Sequence, residues 1–259
     1  MKIVAATVLL LLAAIAALAQ EMPAAQEPDQ VAQEAMTTVV VPVAGSVIGA
    51  NDVQWKTDVV LSNDLRTEAT VVIEMPSAPD QPVMILTLAP GQVQRFTDVV
   101  SEAFGIDRAL SPLLISTNNR RSVAIGVTVY GIHGTDVTAA QPIPVNYGAT
   151  YYPLRQLQGL SFSEEFRTNI GLVNLSTEAA PFTLALQRLQ GRNLAVTHVV
   201  IPANTLWHMS VQSLFPLITE GDDFSVLVES GTPDTYCYAS VIENATSRAR
   251  FVQATIGTR

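Results

Sequence analysis

The chain has 259 residues, with 14 basic and 23 acidic side chains and a formal net charge of −9. Such a surface repels phosphate groups, so nucleic acid and anionic membrane surfaces are poor partners. A single cysteine, Cys237, excludes an internal disulfide framework, and stability has to come from a buried core.

The first residues combine Lys2, an apolar run over 3–18 and a small-x-small site at Ala17-Leu18-Ala19. This predicts a secretory signal peptide over 1–19 and a periplasmic or extracellular location. No later stretch is long and apolar enough for a membrane span. Residues 20–36 are rich in Ala, Gln, Glu and Pro, and read as a flexible spacer.

From Thr37 the texture becomes β-branched. The segment over 37–43 contains Pro42, which suits an edge strand because proline cannot donate to a ladder. Pro153 is its counterpart, 111 positions later in the chain. A polar loop is expected after each proline, over 45–54 and 156–165.

Trp55-Lys56-Thr57-Asp58-Val59-Val60-Leu61-Ser62-Asn63 comes next, and returns as Phe166-Arg167-Thr168-Asn169-Ile170-Gly171-Leu172-Val173-Asn174. An aromatic, a base and Thr lead into period-two apolar residues, and each copy closes on Asn. That is strand patterning present twice. Val71, Ile73 and Met75 align with Phe182, Leu184 and Leu186 in the following strand. The turn-rich segments before them, 63–68 and 174–178, read as hairpin connections.

Later strands keep the correspondence. Residues 84–88 match 196–201, Phe96 matches Trp207, and Phe104 matches Phe215 in a short helical turn. Leu113-Leu114-Ile115 matches Val226-Leu227-Val228. Residues 123–129 match 236–242, which sets Cys237 against Ala124. Each copy therefore predicts seven or eight short strands with turns at regular spacing, the pattern of an all-β sandwich with one wet face per sheet. The expected modules are 37–148 and 149–259, meeting near Gly148-Ala149.

Pro42, Trp55-Lys56-Thr57-Asp58, Asn63, Pro90-Gly91, Phe104, Phe166-Arg167-Thr168-Asn169, Asn174 and Tyr238-Ala239-Ser240-Val241 carry a resemblance. The chain resembles a group of uncharacterised secreted bacterial proteins with two tandem immunoglobulin-like antiparallel β-sandwich domains. The resemblance implies fold positions over 38–255, not a site. Ala203 stands where the first copy has Gly91, so the motif is not uniform. The architecture is also similar to that of periplasmic pilus-assembly chaperones, whose subunit-gripping basic pair has no counterpart here.

Chemistry-bearing residues are scattered. His133, His198 and His208 form no i, i+4 pair, and no nucleophile elbow or phosphate cradle occurs. No cofactor and no enzyme activity are expected. Tyr147, Tyr151 and Tyr152 gather at the module junction, and with His133 they are the candidate binding residues. Glu220, Asp222 and Asp223 form the densest acidic cluster and are the candidate calcium ligands, without EF-hand spacing. The leading expectation is a non-enzymatic interaction or structural component of the cell envelope, partnered by an envelope protein or glycan. The alternative is a glycan- or ligand-binding protein that uses the junction.

Overall fold

The protein is described by a computed structural model over residues 36–257, apart from 119–122, 139, 148–151, 189–191 and 219. The predicted signal peptide, most of the spacer, the boundary at Gly148-Ala149 and Tyr151 lie outside the described residues.

Apolar residues at period two give strands, and these strands pair in two sets. The first set is β1 (Thr37–Ile48), β2 (Gln54–Asn63), β3 (Ala69–Glu74), β4 (Val83–Leu88), β5 (Val93–Phe96), β6 (Ala109–Thr117), β7 (Val123–His133), β8 (Asp136–Val137), β9 (Gln141–Pro142) and β10 (Asn146–Tyr147). The second is β11 (Leu154–Phe162), β12 (Phe166–Asn174), β13 (Ala180–Gln187), β14 (Asn193–Ile201), β15 (Thr205–Ser210), β16 (Gly221–Glu229), β17 (Thr235–Glu243), β18 (Ala249–Gln253) and β19 (Thr255–Ile256). Two short helices, Val99–Phe104 and Val211–Leu214, follow β5 and β15. The fold is all-β and antiparallel, as the patterning predicts.

In the first set, β4-β3-β6-β1 face β5-β2-β7, with β10 added to β1 and β8 and β9 to β7. The end of β1 also pairs with β2, Val47 opposite Trp55, so this strand joins the two sheets. In the second set, β14-β13-β16-β11-β19 face β15-β12-β17-β18. Val41, Val59, Leu61, Ile73 and Ile115 are buried in one core; Leu157, Ile170, Phe182, Leu184 and Phe224 are buried in the other. Each such side chain stabilises the fold by roughly 1.5–3 kcal/mol relative to leaving it in water.

The repeat is visible in hydrogen bonds. Asn63 Nδ2 lies within bonding distance of Thr67 O, Leu88 O and Ala89 O, and its Oδ1 accepts from Leu65 N at 3.1 Å. Asn174 Nδ2 meets Glu178 O, Ile201 O and Pro202 O, and its Oδ1 accepts from Ser176 N at 3.0 Å. Thr57 Oγ1 donates to Gly45 O, and Thr168 Oγ1 donates to Ser161 O. All four side chains are buried.

These bonds and the strand registers correct several sequence expectations. The connections after Asn63 and Asn174 are not hairpins. They cross from one sheet to the other, and the asparagine ties the crossing to the end of β4 or β14. The expected polar loops after Pro42 and Pro153 are partly strand. β1 continues to Ile48, and β11 covers Leu154–Phe162. β10 covers β1 only at Val39 and Val40, so Pro42 lies on a stretch of β1 with a strand on one side alone, as the edge expectation has it. The proline sits where the register shifts between Val41 and Ala44, a bulge that needs no donor there. β11 shifts likewise between Leu157 and Leu160, with Gly159 at φ +66°. Pro42 is therefore not equivalent to Pro153, which precedes β11.

Two further alignments slip. Val59 pairs with Phe96 and Ile170 pairs with Met209, so Phe96 corresponds to Met209, not Trp207. Leu61 pairs with Ile125 and Leu172 pairs with Cys237, so Cys237 corresponds to Ile125. A slip of one residue changes the face of the sheet, and the true register turns Cys237 into the core.

The β15-β12-β17-β18 sheet also departs from the expectation of one wet face. Val173 and Tyr238 are buried with the core of the first sandwich, and Leu206, Tyr236 and Phe251 pack against it. The first sandwich thus covers the outer face of this sheet. Ser77 Oγ donates to Asn204 O at 2.9 Å and Asn51 Nδ2 donates to Asn244 O at 3.2 Å across the same junction.

Candidate functional site

The junction between the sandwiches leaves two clefts. The larger, of about 470 Å³, is bordered by Pro42, Val145 and Asn146 from the first sandwich and by Tyr152, Arg155, Asp234 and Gln253 from the second. The smaller, of about 370 Å³, lies between Val43, Val47, Trp55 and Leu110 on one side and Arg167, Asn169, His208 and Ile242 on the other. Tyr238 and Phe251 line both clefts, and their rings stack with centroids 5.3 Å apart.

The sequence candidates distribute unevenly over these clefts. Tyr152 is partly exposed and lines the larger one. The backbone of Tyr147 pairs with Val39 in β1, and Tyr151 is outside the described residues. His133 ends β7 at an exposed hairpin opposite Asp136 and borders neither cleft. Glu220, Asp222 and Asp223 are at or before the start of β16, with Asp222 and Asp223 exposed and Asp223 at φ +55°. No group of three His, Cys, Asp or Glu side chains able to hold a metal ion occurs among the described residues.

Tyr238 and His208 are the junction residues that sequence reasoning missed. Both pair with Gly171 of β12, one from each side. The Tyr238 ring lies across Gly171, where a Cβ would overlap it. This brings the Tyr238 hydroxyl to 2.9 Å from His208 Nδ1. The signal was present in the sequence: 236–242 is nearly continuous in apolar residues, as a strand covered on both faces should be.

The electrostatics of this pair oppose acid–base work. Burial raises the Tyr238 phenol well above its ordinary value. Dense protein around His208 lowers its imidazole from 6.5 to about 4, although more than a third of the residue is exposed and solvent softens that effect. Cys237 points to the opposite face of β17, into the core, and burial pushes its thiol up to about 11. His208 and Cys237 therefore do not converge, and a buried protonated thiol is a poor nucleophile.

The repeated bases have separate partners. Lys56 Nζ lies 3.3 Å from Asp98 Oδ2, and Asp98 also accepts from Ser46 and caps the helix Val99–Phe104. Arg167 donates from Nη1 to Asn244 Oδ1 at 2.8 Å. Asp58 is held by Arg95, with Nε 3.1 Å from Oδ2. What the arrangement offers is shape, apolar surface and a few fixed polar groups, all suited to binding.

No family model, curated protein or solved structure matches the chain.

Proposed function

We propose that the protein is a non-enzymatic, exported component of the cell envelope that docks extended segments of other envelope polypeptides along two of its sheet edges. The observation that carries this is the composition of β4 and β14. Both end their sheets. Neither VMILTL in β4 nor NLAVTHVVI in β14 contains a charged residue. Val83 is 54% exposed, Ile85 69%, Val196 51% and Val200 59%. Proteins ordinarily guard such edges with lysine, proline or a bulge, because an open edge templates a further strand. Here an edge without lysine or proline occurs twice, at equivalent strands of the repeat, and the one bulge in either strand's pairing is at the start of β14, beside Leu194. An added strand would take its affinity from main-chain hydrogen bonds and its specificity from alternate side chains.

The finer fold reading agrees with this role. In each sandwich the second and fifth strands pair, β2 with β5 and β12 with β15, and so do the third and sixth, β3 with β6 and β13 with β16. An immunoglobulin-like sandwich has those central pairings, but its first strand lies on the second and its last on the sixth, whereas here β1 and β11 lie on β6 and β16 and β7 and β17 on β2 and β12. Its tandem use suits a spacer or adhesive part of an envelope assembly.

The test places lysines on the edges. Ile85→Lys and Val200→Lys put a charge on an exposed position without touching either core. Loss of co-sedimentation with envelope fractions, at unchanged melting temperature, is the expected result. Undiminished co-sedimentation of the double variant contradicts the reading. A second reading, a glycan in the larger cleft, is favoured by Tyr152 standing with Arg155, Asp234 and Gln253 there, an aromatic face among polar groups.

A further inference from the structure

The smaller cleft carries a charge that the rest of the fold does not balance. Arg167 is the one permanently charged side chain on its wall. It ion-pairs with no carboxylate among the described residues, and its one hydrogen bond there goes to the neutral Asn244 Oδ1. In the first sandwich, the corresponding base is compensated. Lys56 pairs with Asp98, and Asp58 beside it pairs with Arg95. The registers give Asn169 for Asp58, and Ser210 caps the helix Val211–Leu214 where Asp98 caps Val99–Phe104, so both acids are missing from the second copy. A free cation is retained at the edge of an apolar cleft in a protein of net charge −9.

The remainder of the wall is chosen for hydrocarbon. Val43, Val47, Ile48, Leu110, Val129 and Ile242 border it, with Trp55 at one side. Asn169 and Ser240 are register partners on β12 and β17 and face the same space, adding neutral polar groups near the guanidinium. The cleft volume of about 370 Å³ lies toward the small end of ligand sites, which run from about 300 to 1,000 Å³.

We infer that this cleft binds a medium-chain aliphatic carboxylate, its headgroup on Arg167 and its chain between the two sandwiches. A guanidinium presents a planar fork of donors that matches a carboxylate, and partial desolvation strengthens the pair. Desolvation already lowers the Arg167 pKa, with no acid to offset it. A cationic amphiphile would meet repulsion there. A neutral chain would leave the guanidinium uncompensated. The site is independent of the β4 and β14 edges, so its failure leaves the edge reading standing.

The experiment titrates the purified mature chain with decanoate, 1-decanol and decyltrimethylammonium, followed by calorimetry and by Trp55 fluorescence. Decanoate should bind saturably and at least about tenfold more tightly than decanol, the difference that one charge-assisted contact supplies. Arg167→Gln should remove that preference, and Arg167→Lys should keep part of it. Ile48→Trp, at a largely exposed position, should block the cleft and weaken decanoate binding without unfolding the chain. If Arg167→Gln lowers the melting temperature, the ratio of decanoate to decanol on the native chain and the Ile48→Trp result decide. Equal binding of decanoate and decanol, undiminished decanoate binding by Ile48→Trp, or no saturable binding overturns the inference.

Discussion

Asp58 and Asn169 occupy the same register position in β2 and β12, and only Asp58 meets an arginine. Around them the two copies differ in concert. Arg95 corresponds to His208, Val60 to Gly171, and Gly126 to Tyr238. The first set forms an ion-paired outer face. The second forms the covered face of the junction. Taking a charged pair out of water costs more than it returns unless its geometry is excellent, so a neutral pair suits the covered copy.

The Asp58–Arg95 pair should respond asymmetrically. The Asp58 side chain is nearly buried, while Arg95 is largely exposed. Removing the arginine strands the carboxylate; removing the charge on Asp58 strands nothing. Arg95→Ala should therefore lower the urea midpoint more than Asp58→Asn, and adding Asp58→Asn to Arg95→Ala should recover most of the loss. A double variant as unstable as Arg95→Ala alone would contradict this.

The asparagines that close the repeated motif should be worth more than their size. Each satisfies carbonyls from two chain segments and one amide while fully buried. Asn174→Ala leaves those groups unpaired, at a cost on the order of 3 kcal/mol in urea unfolding. Asn174→Asp keeps the shape but turns a carboxylate toward three carbonyls, and should be no better than alanine. The same ranking is expected at Asn63.

The two corresponding glycine positions offer an internal control. A Cβ on Gly171 overlaps the Tyr238 ring, whereas a Cβ on Gly126 meets only Val60 at 4.0 Å. Gly171→Ala should destabilise the chain by about 1–3 kcal/mol through overpacking. Gly126→Ala should be close to neutral. Thermal or urea unfolding of the two variants measures the contrast.

His208 gives a pH dependence with a defined sign. Its folded pKa, about 4, is below the ordinary 6.5. The unfolded chain then binds the proton first, so this contribution is complete above about pH 6.5 and is lost as the pH falls toward 4. Melting temperatures of the native chain should drop more steeply across that window than those of His208→Gln, whose carboxylates titrate alike. Parallel curves would remove His208 from the account.

Much of the fold was legible because period-two patterning and the repeated Asn-closed motif are local signals. Strand register was less so. Pro42 and Pro153 align by number, yet β1 and β11 carry matching bulges and the chain from the bulge to the next strand is longer in the first copy, so the true correspondence lies elsewhere, and only pairing across the sheet reveals it. Trp207 resembles Phe96 as an aromatic but is two positions removed from its place. The junction was least legible. Tyr152 was found because it lies between the copies in sequence. Tyr238 and His208 meet only when β12 brings β15 and β17 to its two sides. Arg167 repeats Lys56 in sequence; that no carboxylate pairs with it among the described residues depends on what stands at Asn169 and Ser210.

The central claim is that β4 and β14 dock extended polypeptide. Site-specific photo-crosslinking in cells that express the chain tests it most directly, with the reactive residue at Ile85, at Val200 and, as a control, at exposed Glu68. Discrete polypeptide adducts from Ile85 and Val200, absent from Glu68 and suppressed by a neighbouring Val83→Lys or Val196→Lys, are the predicted result. Edge positions that yield no adduct, or the same adducts as Glu68, would contradict the account.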